Sequence, residues 1–292
     1  MQTQSLAAFV AIVDSGSFSA AADQLGVSQS AISKRLANLE QQYNRPLIER
    51  DGRHARLTEA GERLLPHARQ VLDELHNARL SLEQPARSFS GPVRLITSHH
   101  IGLHHLPVWL KTFRLQHPGV QFQLQFMESE QAFAALQRRE ASLALITLND
   151  RLQQHFELHH TWQDPMYFVC GRDHPLAALP QPTLGDLAQH EAILPAATTE
   201  TYRVVSHLFL VNGLRLQAQM PTNYLETIKM MTSVGLGWSV LPGTMLDDEL
   251  VQLPVPANVS RVLGAVGLWR RDPGPVARAL LELIQQEQAQ AG

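Results

Sequence analysis

The stretch from Ser17 to Tyr43, "SFSAAADQLGVSQSAISKRLANLEQQY", leaves the chain few ways to begin its fold. Ser17 is a good N-cap for a helix over "FSAAADQL", and Gly26 suits the left-handed turn that ends one. Ser28 is a second N-cap and opens "QSAISKRLANLEQQY". Ala20, Ala21 and Ala22 are small enough to let helices approach closely. Upstream, "SLAAFVAIVDSGS" sets Leu6, Phe9, Val10 and Val13 at helical spacing and stops at Ser15 and Gly16. Two short helices joined by a tight turn at Gly26 make a helix-turn-helix.

The helix after Ser28 divides its residues as a recognition helix does. Ala31, Ile32, Leu36 and Leu39 form an inward stripe. Gln29, Ser30, Ser33, Lys34 and Arg35 project outward in the first two turns, where such a helix meets base edges and phosphates. Gln can pair bidentately with adenine, while Ser, Lys and Arg reach bases or backbone. A merely solvated helix face would show the same polarity, so the neighbouring sequence has to decide. "RPLIERDGRHARLTEAG" reads as strand, polar turn at Asp51 and Gly52, strand, and a new helix capped by Thr58. That hairpin carries Arg50, Arg53 and Arg56, a wing suited to phosphate or minor-groove contact. The whole chain has a formal net charge of −3. Its positive charge is local: Lys34, Arg35, Arg45, Arg50, Arg53 and Arg56 outnumber Glu40, Glu49 and Asp51 between Ser28 and Leu57.

From Leu6 to Gly61 the combined pattern of alanines, "VSQSAIS", "LE", "PLIER" and "LTEAG" resembles the winged helix-turn-helix of the LysR-type transcriptional regulators. Two positions depart from it. Asn44 stands where the family commonly has glycine, and Asn also tolerates the left-handed conformation. Ile48 stands where the family usually has Phe, a change of packing away from the DNA face.

A long helix is expected from Thr58 to about Gln84. Leu64, Ala68, Val71, Leu75, Ala78 and Leu82 are spaced alternately by four and three, a narrow seam suited to pairing with another helix. Pro66 predicts a kink in its first turns. The resemblance makes this helix the dimerisation arm, and a dimer presents two recognition helices to two half-sites. "EQPARSFSGP", Glu83 to Pro92, reads as a hinge.

Beyond it strands alternate with helices, which implies parallel pairing in an α/β sheet. "VRLITS", "VQFQLQFM" and "SLALITL" read as strands. "HIGLHHLPVWLKTFRLQHP" reads as one helix and "SEQAFAALQRRE" as another. A crossover near Trp162 to Phe168 leads to a second lobe, and "RVLGAVGLW" with a final helix over Val276–Gln288 returns to the first. The expected architecture has a winged helix-turn-helix at 1–60, a linker helix and hinge at 61–90, and an α/β domain at 91–292. The first lobe would take 91–161 and 265–292, the second 162–264. "LP" at Leu106, "HP" at His117 and "VGLGWSVLP" at Val234–Pro242 resemble the family's effector domain, which is similar to two-lobed periplasmic binding proteins.

Ligands of open α/β sheets sit beyond strand carboxyl ends, near helix N-termini that favour anions. By resemblance, Thr97, Ser98, His99, His100, Thr147, Thr198, Thr199 and Thr222 line the inducer pocket; Arg203 would either add a positive charge there or stand as an exposed helix arginine. A hydroxyl-rich cleft of this kind suits a small polar or anionic metabolite.

"TSHHIGLHHLP", Thr97 to Pro107, invites a rival reading, a histidine-based or metal-dependent enzyme. On one helix His100 and His104 share a face at i, i+4, yet no nearby Cys, Asp or Glu at helical spacing completes a ligand set, so no metal is expected. His99 and His100 would face the cleft, and His104 and His105 would be ordinary surface or packing residues. "HEAIL" at His190 lacks the second histidine of HExxH, no GxSxG occurs, and "GLGWSV" does not complete GxGxxG. Catalytic residues and a cofactor are therefore not expected. Cys170 in "YFVCGR" reads as a buried strand thiol, and a lone cysteine suits a reducing cytoplasm. Asp14 interrupts the first apolar stretch, no basic segment precedes it, and no run of about 18 apolar residues follows. Those features argue against a solute-binding protein with a secretory leader and against a membrane span. The expected partners are double-stranded operator DNA, a second copy in a homodimer that assembles to a homotetramer, and RNA polymerase at the promoter.

Overall fold

A computed structural model describes residues 2–51, 54–82, 89–149, 156–219 and 222–291. The chain divides into two compact units, Met1–Ser90 with Ala135–Glu140, and Gly91–Ala134 with Ala141–Gly292.

In the first unit α1 (Gln2–Ser15), α2 (Phe18–Leu25) and α3 (Gln29–Tyr43) are followed by strands β1 (Ile48–Asp51) and β2 (His54–Leu57) and the long α4 (Glu59–Leu82). The caps act as the sequence requires. Ser17 accepts a hydrogen bond from the Ala20 amide and Ser28 one from the Ala31 amide, while Gly26 adopts φ 62°. Asn44 caps α3 at φ 50°, the left-handed conformation its departure from glycine has to supply. Phe9, Ile12, Ile32 and Leu39 are fully buried, each such side chain stabilising by about 1.5–3 kcal/mol. Ala31, assigned to the inward stripe, is only half-buried.

A short polar network explains three of the quoted motifs. The Glu40 carboxylate accepts from the amides of Leu47 (2.8 Å) and Ile48 (3.3 Å), tying α3 to β1. Thr58 donates through Oγ1 to the Pro46 carbonyl (2.7 Å) and accepts from the Gly61 amide (3.0 Å), which fixes the start of α4. Gly61 lies against β1 so closely that a Cβ there would sit 2.1 Å from the Leu47 carbonyl oxygen. β1 and β2 pair antiparallel from Ile48↔Leu57 to Asp51↔His54. Their turn, with Gly52 and Arg53, lies outside the described residues.

α4 runs through Pro66 to Leu82. Its seam is divided in role. Leu65 and Ala68 belong to the unit's own core with Leu64 packed against it, so Leu64 and Ala68 are not free for a partner helix. Val71 and Leu75 are 43% and 48% exposed, and Ala78 is exposed too.

The second unit is built on one nine-stranded sheet in the order β4-β3-β5-β11-β6-β9-β7-β8, with β10 beside β6. Its strands are β3 (Ser90–Thr97), β4 (Gly119–Phe126), β5 (Leu143–Thr147), β6 (Phe156–Gly171), β7 (Ala192–Ile193), β8 (Ala218–Gln219), β9 (Trp238–Pro242), β10 (Leu250–Gln252) and β11 (Val259–Leu268). Between them run α5 (His99–His104), α6 (Leu106–Gln116), α7 (Ser129–Gln137), α8 (Leu184–Leu187), α9 (Glu200–Val211) and α10 (Leu225–Ser233), and α11 (Pro275–Ala291) ends the chain. Cys170 is buried in β6, and burial pushes its thiol up to about 11.

Three expectations need correction here. The sheet is mixed: β3–β5, β7–β8 and β7–β9 are parallel, but β11 pairs antiparallel with both β5 and β6, and β6 antiparallel with β9. The long β6 and β11 pair over Val259↔Met166 to Leu268↔Phe156, so each passes from one half of the sheet to the other as a single strand. The single helix expected over the histidine-rich stretch is two, broken at His105, because Pro107 has no amide hydrogen and fits only a first turn. β3 already starts at Ser90, so the hinge assigned to Glu83–Pro92 is shorter, and residues 83–88 lie outside the described ones.

Replacing Gly61 by alanine should force β1 and α4 apart and destabilise the N-terminal unit by about 3 kcal/mol or more. Urea unfolding of the full chain reads this as loss of the N-terminal transition at lower denaturant.

Candidate functional site

Beyond the C-terminal ends of β3 and β5, Ser98, His99, His100 and Thr147 line a small cavity that opens to solvent. Thr199, Thr201 and Asn223 face it from the other half of the sheet, and Arg261 of β11 contributes from the middle. Ser98 is the N-cap of α5 but makes no side-chain cap bond, and its buried Oγ has no hydrogen-bond partner. Thr199 caps α9, accepting from the Tyr202 amide (3.3 Å) and donating to the Ala196 carbonyl (2.8 Å). Asn223 Oδ1 accepts from the Ala196 amide (3.0 Å). Ser129 Oγ accepts from the Thr147 amide (3.1 Å). His99 sets its ring edge-on to Tyr224, with centroids 4.8 Å apart. Burial, and then the charge of Glu130, raises the Glu128 carboxyl above its usual range.

The residues expected to line a pocket therefore separate. Ser98, His99, His100, Thr147 and Thr199 line the cavity; Thr97, Thr198 and Thr222 do not. Thr97 is fully buried with its methyl against Gly102, and its hydroxyl donates to the Ser98 carbonyl (3.1 Å). Thr198 sits exposed in the turn before α9, and Thr222 accepts from the Tyr224 amide (3.4 Å) outside the cavity. Arg203 is on the exposed side of α9, paired with Glu200 at 2.6 Å.

Arg261, which lines the cavity, and its partner Asp164 were missed altogether. Arg261 and Asp164 are register partners on β11 and β6, both buried, with Nε donating to Oδ2 at 2.8 Å. Arg261 Nη1 donates to Thr201 Oγ1 (3.1 Å), and Nη2 has no partner. Both residues interrupt apolar strand runs, "NVSRVLGAVGLW" and "WQDPMYFVCG". A charge inside such a run requires a counter-charge, which is the signal that could have paired them.

His100 is 5% exposed, its Nε2 3.6 Å from Asp164 Oδ2. Burial, then the positive charge of Arg261, then His105 and His104 lower its pKa to about 2. Its ring lies 5.0 Å from that of His104 and 5.3 Å from that of His105. His104 and His105, expected to be surface or packing residues, are both half-buried. His104 Nε2 pairs with Glu226 at 3.0 Å, and His105 joins His100 and Asp164 in a cluster whose ligand-type atoms all lie within 4.8 Å. The third ligand type sought at helical spacing arrives from β6 instead.

In the first unit Gln29, Ser30 and Lys34 are exposed on the first turns of α3, and Ser33 and Arg35 are half-buried beside them. Arg50 lies in β1, Arg56 is exposed on β2, and Arg53 falls outside the described residues.

Comparison with known proteins matches residues 3–62 to the bacterial regulatory helix-turn-helix proteins of the lysR family, and residues 86–289 to the LysR substrate binding domain. The chain is 30% identical to a probable RuBisCO transcriptional regulator of Cyanidioschyzon merolae over 83% of its length and 82% of that protein's. Its fold is similar to full-length CbnR complexed with target DNA, with TM-score 0.68, 20% identity and coverage of 98% and 99% of the two chains. It is also similar to the effector binding domain of QuiR in complex with shikimate, with TM-score 0.63, 16% identity and coverage of 69% of this chain and 99% of that one.

A histidine whose folded pKa lies below its unfolded one stabilises the fold above pH 6.5 and loses that contribution as pH falls. For His100 the window runs from about pH 6.5 down to about 2. The melting temperature in EDTA-containing buffer should drop between pH 7 and pH 5. At most about 1.4 kcal/mol per pH unit comes from this residue. His100→Gln should flatten that slope, and a slope identical to wild type would show that His100 is protonated when folded.

Proposed function

This chain belongs to the LysR family of transcriptional regulators, and from that premise we propose that it acts as a metabolite-responsive regulator on operator DNA, by binding and not by catalysis. The observation that carries the effector reading is the cavity of Ser98, His100, Thr147, Thr199 and Arg261, in which Ser98 Oγ and Arg261 Nη2 are buried without protein partners. Orphaned buried donors cost about 1–3 kcal/mol each unless a ligand or water satisfies them. A hydroxyl and a guanidinium beside the start of α5 suit a small polar or anionic metabolite, as the shikimate bound by QuiR is small and polar.

On the DNA side, Gln29, Ser30, Ser33, Lys34 and Arg35 enter the major groove, while Arg50 and Arg53 of the hairpin meet phosphates or the minor groove. The likeness to CbnR, complexed with its target DNA, supports this assignment. The exposed half of α4, with Val71, Leu75 and Ala78 at seam spacing, pairs with the same helix of a second copy, Leu82 continuing the seam. A homotetramer and contact with RNA polymerase complete the regulator. Among the described residues no helix is long and apolar enough to cross a membrane.

Two pairs of variants test the reading. Gln29→Ala should relax base preference at one operator position by about 1–3 kcal/mol, whereas Lys34→Ala should weaken binding to all sequences and lower the salt slope by about 1. Unchanged operator affinity in both would refute the DNA-face assignment. A thermal-shift screen of metabolites on the full chain should find a binder that stabilises by about 2.7 kcal/mol at a hundredfold its Kd. Ser98→Ala breaks no hydrogen bond of the free protein, so it should weaken that binder by about tenfold and leave DNA binding intact. Thr198→Val, outside the cavity, should change neither.

A further inference from the structure

His100, His105 and Asp164 are not explained by effector binding. Only His100 lines the cavity, and the other two lie beside it with ligand-type atoms within 4.8 Å. We propose that these three side chains form a binding site for one divalent transition-metal ion of the zinc, nickel or cobalt class. This goes beyond the effector reading and does not depend on it.

Geometry comes first. Zinc bonds of about 2.0–2.2 Å to imidazole and carboxylate put tetrahedral ligand atoms about 3.4 Å apart. His100 Nε2 and Asp164 Oδ2 are 3.6 Å apart already, and no ligand-type atom of the three residues is more than 4.8 Å from the others. Small side-chain rotations close the remainder. The ligands stand on fixed elements: His100 on the first turn of α5, His105 at the break between α5 and α6, and Asp164 inside the sixteen-residue β6.

The second observation is polar accounting. Both ring nitrogens of His100 and Nε2 of His105 are buried without a hydrogen-bond partner. A neutral imidazole can leave one acceptor nitrogen idle only at a cost, and an ion takes up that lone pair. By contrast, the His174 and His190 rings, 5.1 Å apart, have no third ligand type beside them in any group found among the described residues.

Outer contacts decide which ion. Arg261 Nε donates to Asp164 and orients the carboxylate, as partners of ligating carboxylates do. Its positive charge opposes any cation, so the two imidazoles carry most of the binding. That excludes the oxygen-seeking Mg²⁺ and Ca²⁺ and favours ions that prefer nitrogen. Trp109 and Trp162 flank His105, with centroids 5.9 and 6.2 Å from its ring, and keep the site dry on that side. Three protein ligands leave one position for water.

The test uses the full-length chain, tag removed, stripped with EDTA and titrated with Zn²⁺ against a competing chelator and with Co²⁺ followed by its visible absorption. One ion per chain should bind, Co²⁺ giving the intense bands of a four- or five-coordinate site. His105→Phe keeps the ring and its packing but has no ligand atom. Its Zn²⁺ affinity should fall by more than the roughly 10–100-fold that loss of an outer partner costs. His105→Ala should behave alike, and His117→Ala should bind as wild type. Melting curves in EDTA identify any variant that is unfolded, and His105→Leu replaces such a variant. No stoichiometric Zn²⁺ or Co²⁺ binding, or equal binding by folded His105→Phe and wild type, overturns the proposal.

Discussion

The ion pair between Arg261 and Asp164 holds the second unit in register. The two residues face each other across the strands that join the halves of the sheet, and both side chains are at least nine-tenths buried. A buried charge is tolerable only while its partner stays in place, and removing one member of such a pair costs about 3–5 kcal/mol. β6 and β11 are therefore fixed not only by backbone ladders but at one position along them, since a slip of one strand by one residue would put the two charges on opposite faces of the sheet. From that fixed point Arg261 reaches Thr201 at the start of α9, and Asp164 meets His100 at the start of α5. One pair thus ties two helix starts, one from each half of the sheet, to the same place.

The histidine-rich stretch acquires its character from this neighbourhood. Read as one helix, it offered His100 and His104 as a facing pair, and their rings are indeed 5.0 Å apart. The break before Leu106 and Pro107 brings His105 to 5.3 Å from the same ring as well, which continuous helical geometry does not allow for. Gly102 permits the arrangement. A Cβ there would lie 2.3 Å from Phe126, so α5 could not pack on the end of β4 with any larger residue.

How much the sequence reveals differs between the two units, and the reason is range. The first unit is specified largely by short-range chemistry: Ser17, Gly26 and Ser28 each act within three or four residues of themselves, as Thr58 does in capping α4, so these roles could be read in place. Even there the Glu40 bonds to Leu47 and Ile48, seven and eight residues away, were legible only as a motif. In the second unit the alternation of strands and helices was readable, yet it implied parallel pairing. The antiparallel β6 and β11 escape that inference because they follow each other by about ninety residues, with no periodicity to link them. The cavity was half legible for the same reason. Ser98, Thr147 and Thr199 follow strands or cap helices, local marks both, whereas Arg261, Asp164 and Asn223 are brought in by topology. Thr97 and Thr198 were drawn in by adjacency in sequence, although the end of β3 is buried on both faces and encloses the first, and a turn exposes the second.

The position of His100 has a consequence for how the second unit responds to what it binds. The residue lines the cavity with one part of its ring and belongs to the His105–Asp164 cluster with the other, and Arg261 borders both. An effector that hydrogen-bonds Arg261 draws on the same guanidinium that orients Asp164, and an ion held by His100 fixes a ring that the effector must pack against. Linkage makes such an influence reciprocal: whatever factor the ion imposes on effector affinity, the effector imposes on the ion. The two affinities are independent only if neither His100 nor Arg261 changes its rotamer or its charge state on binding. Close packing and burial of both side chains leave little room for a third arrangement, so either they hold one geometry that suits both ligands or each ligand selects its own.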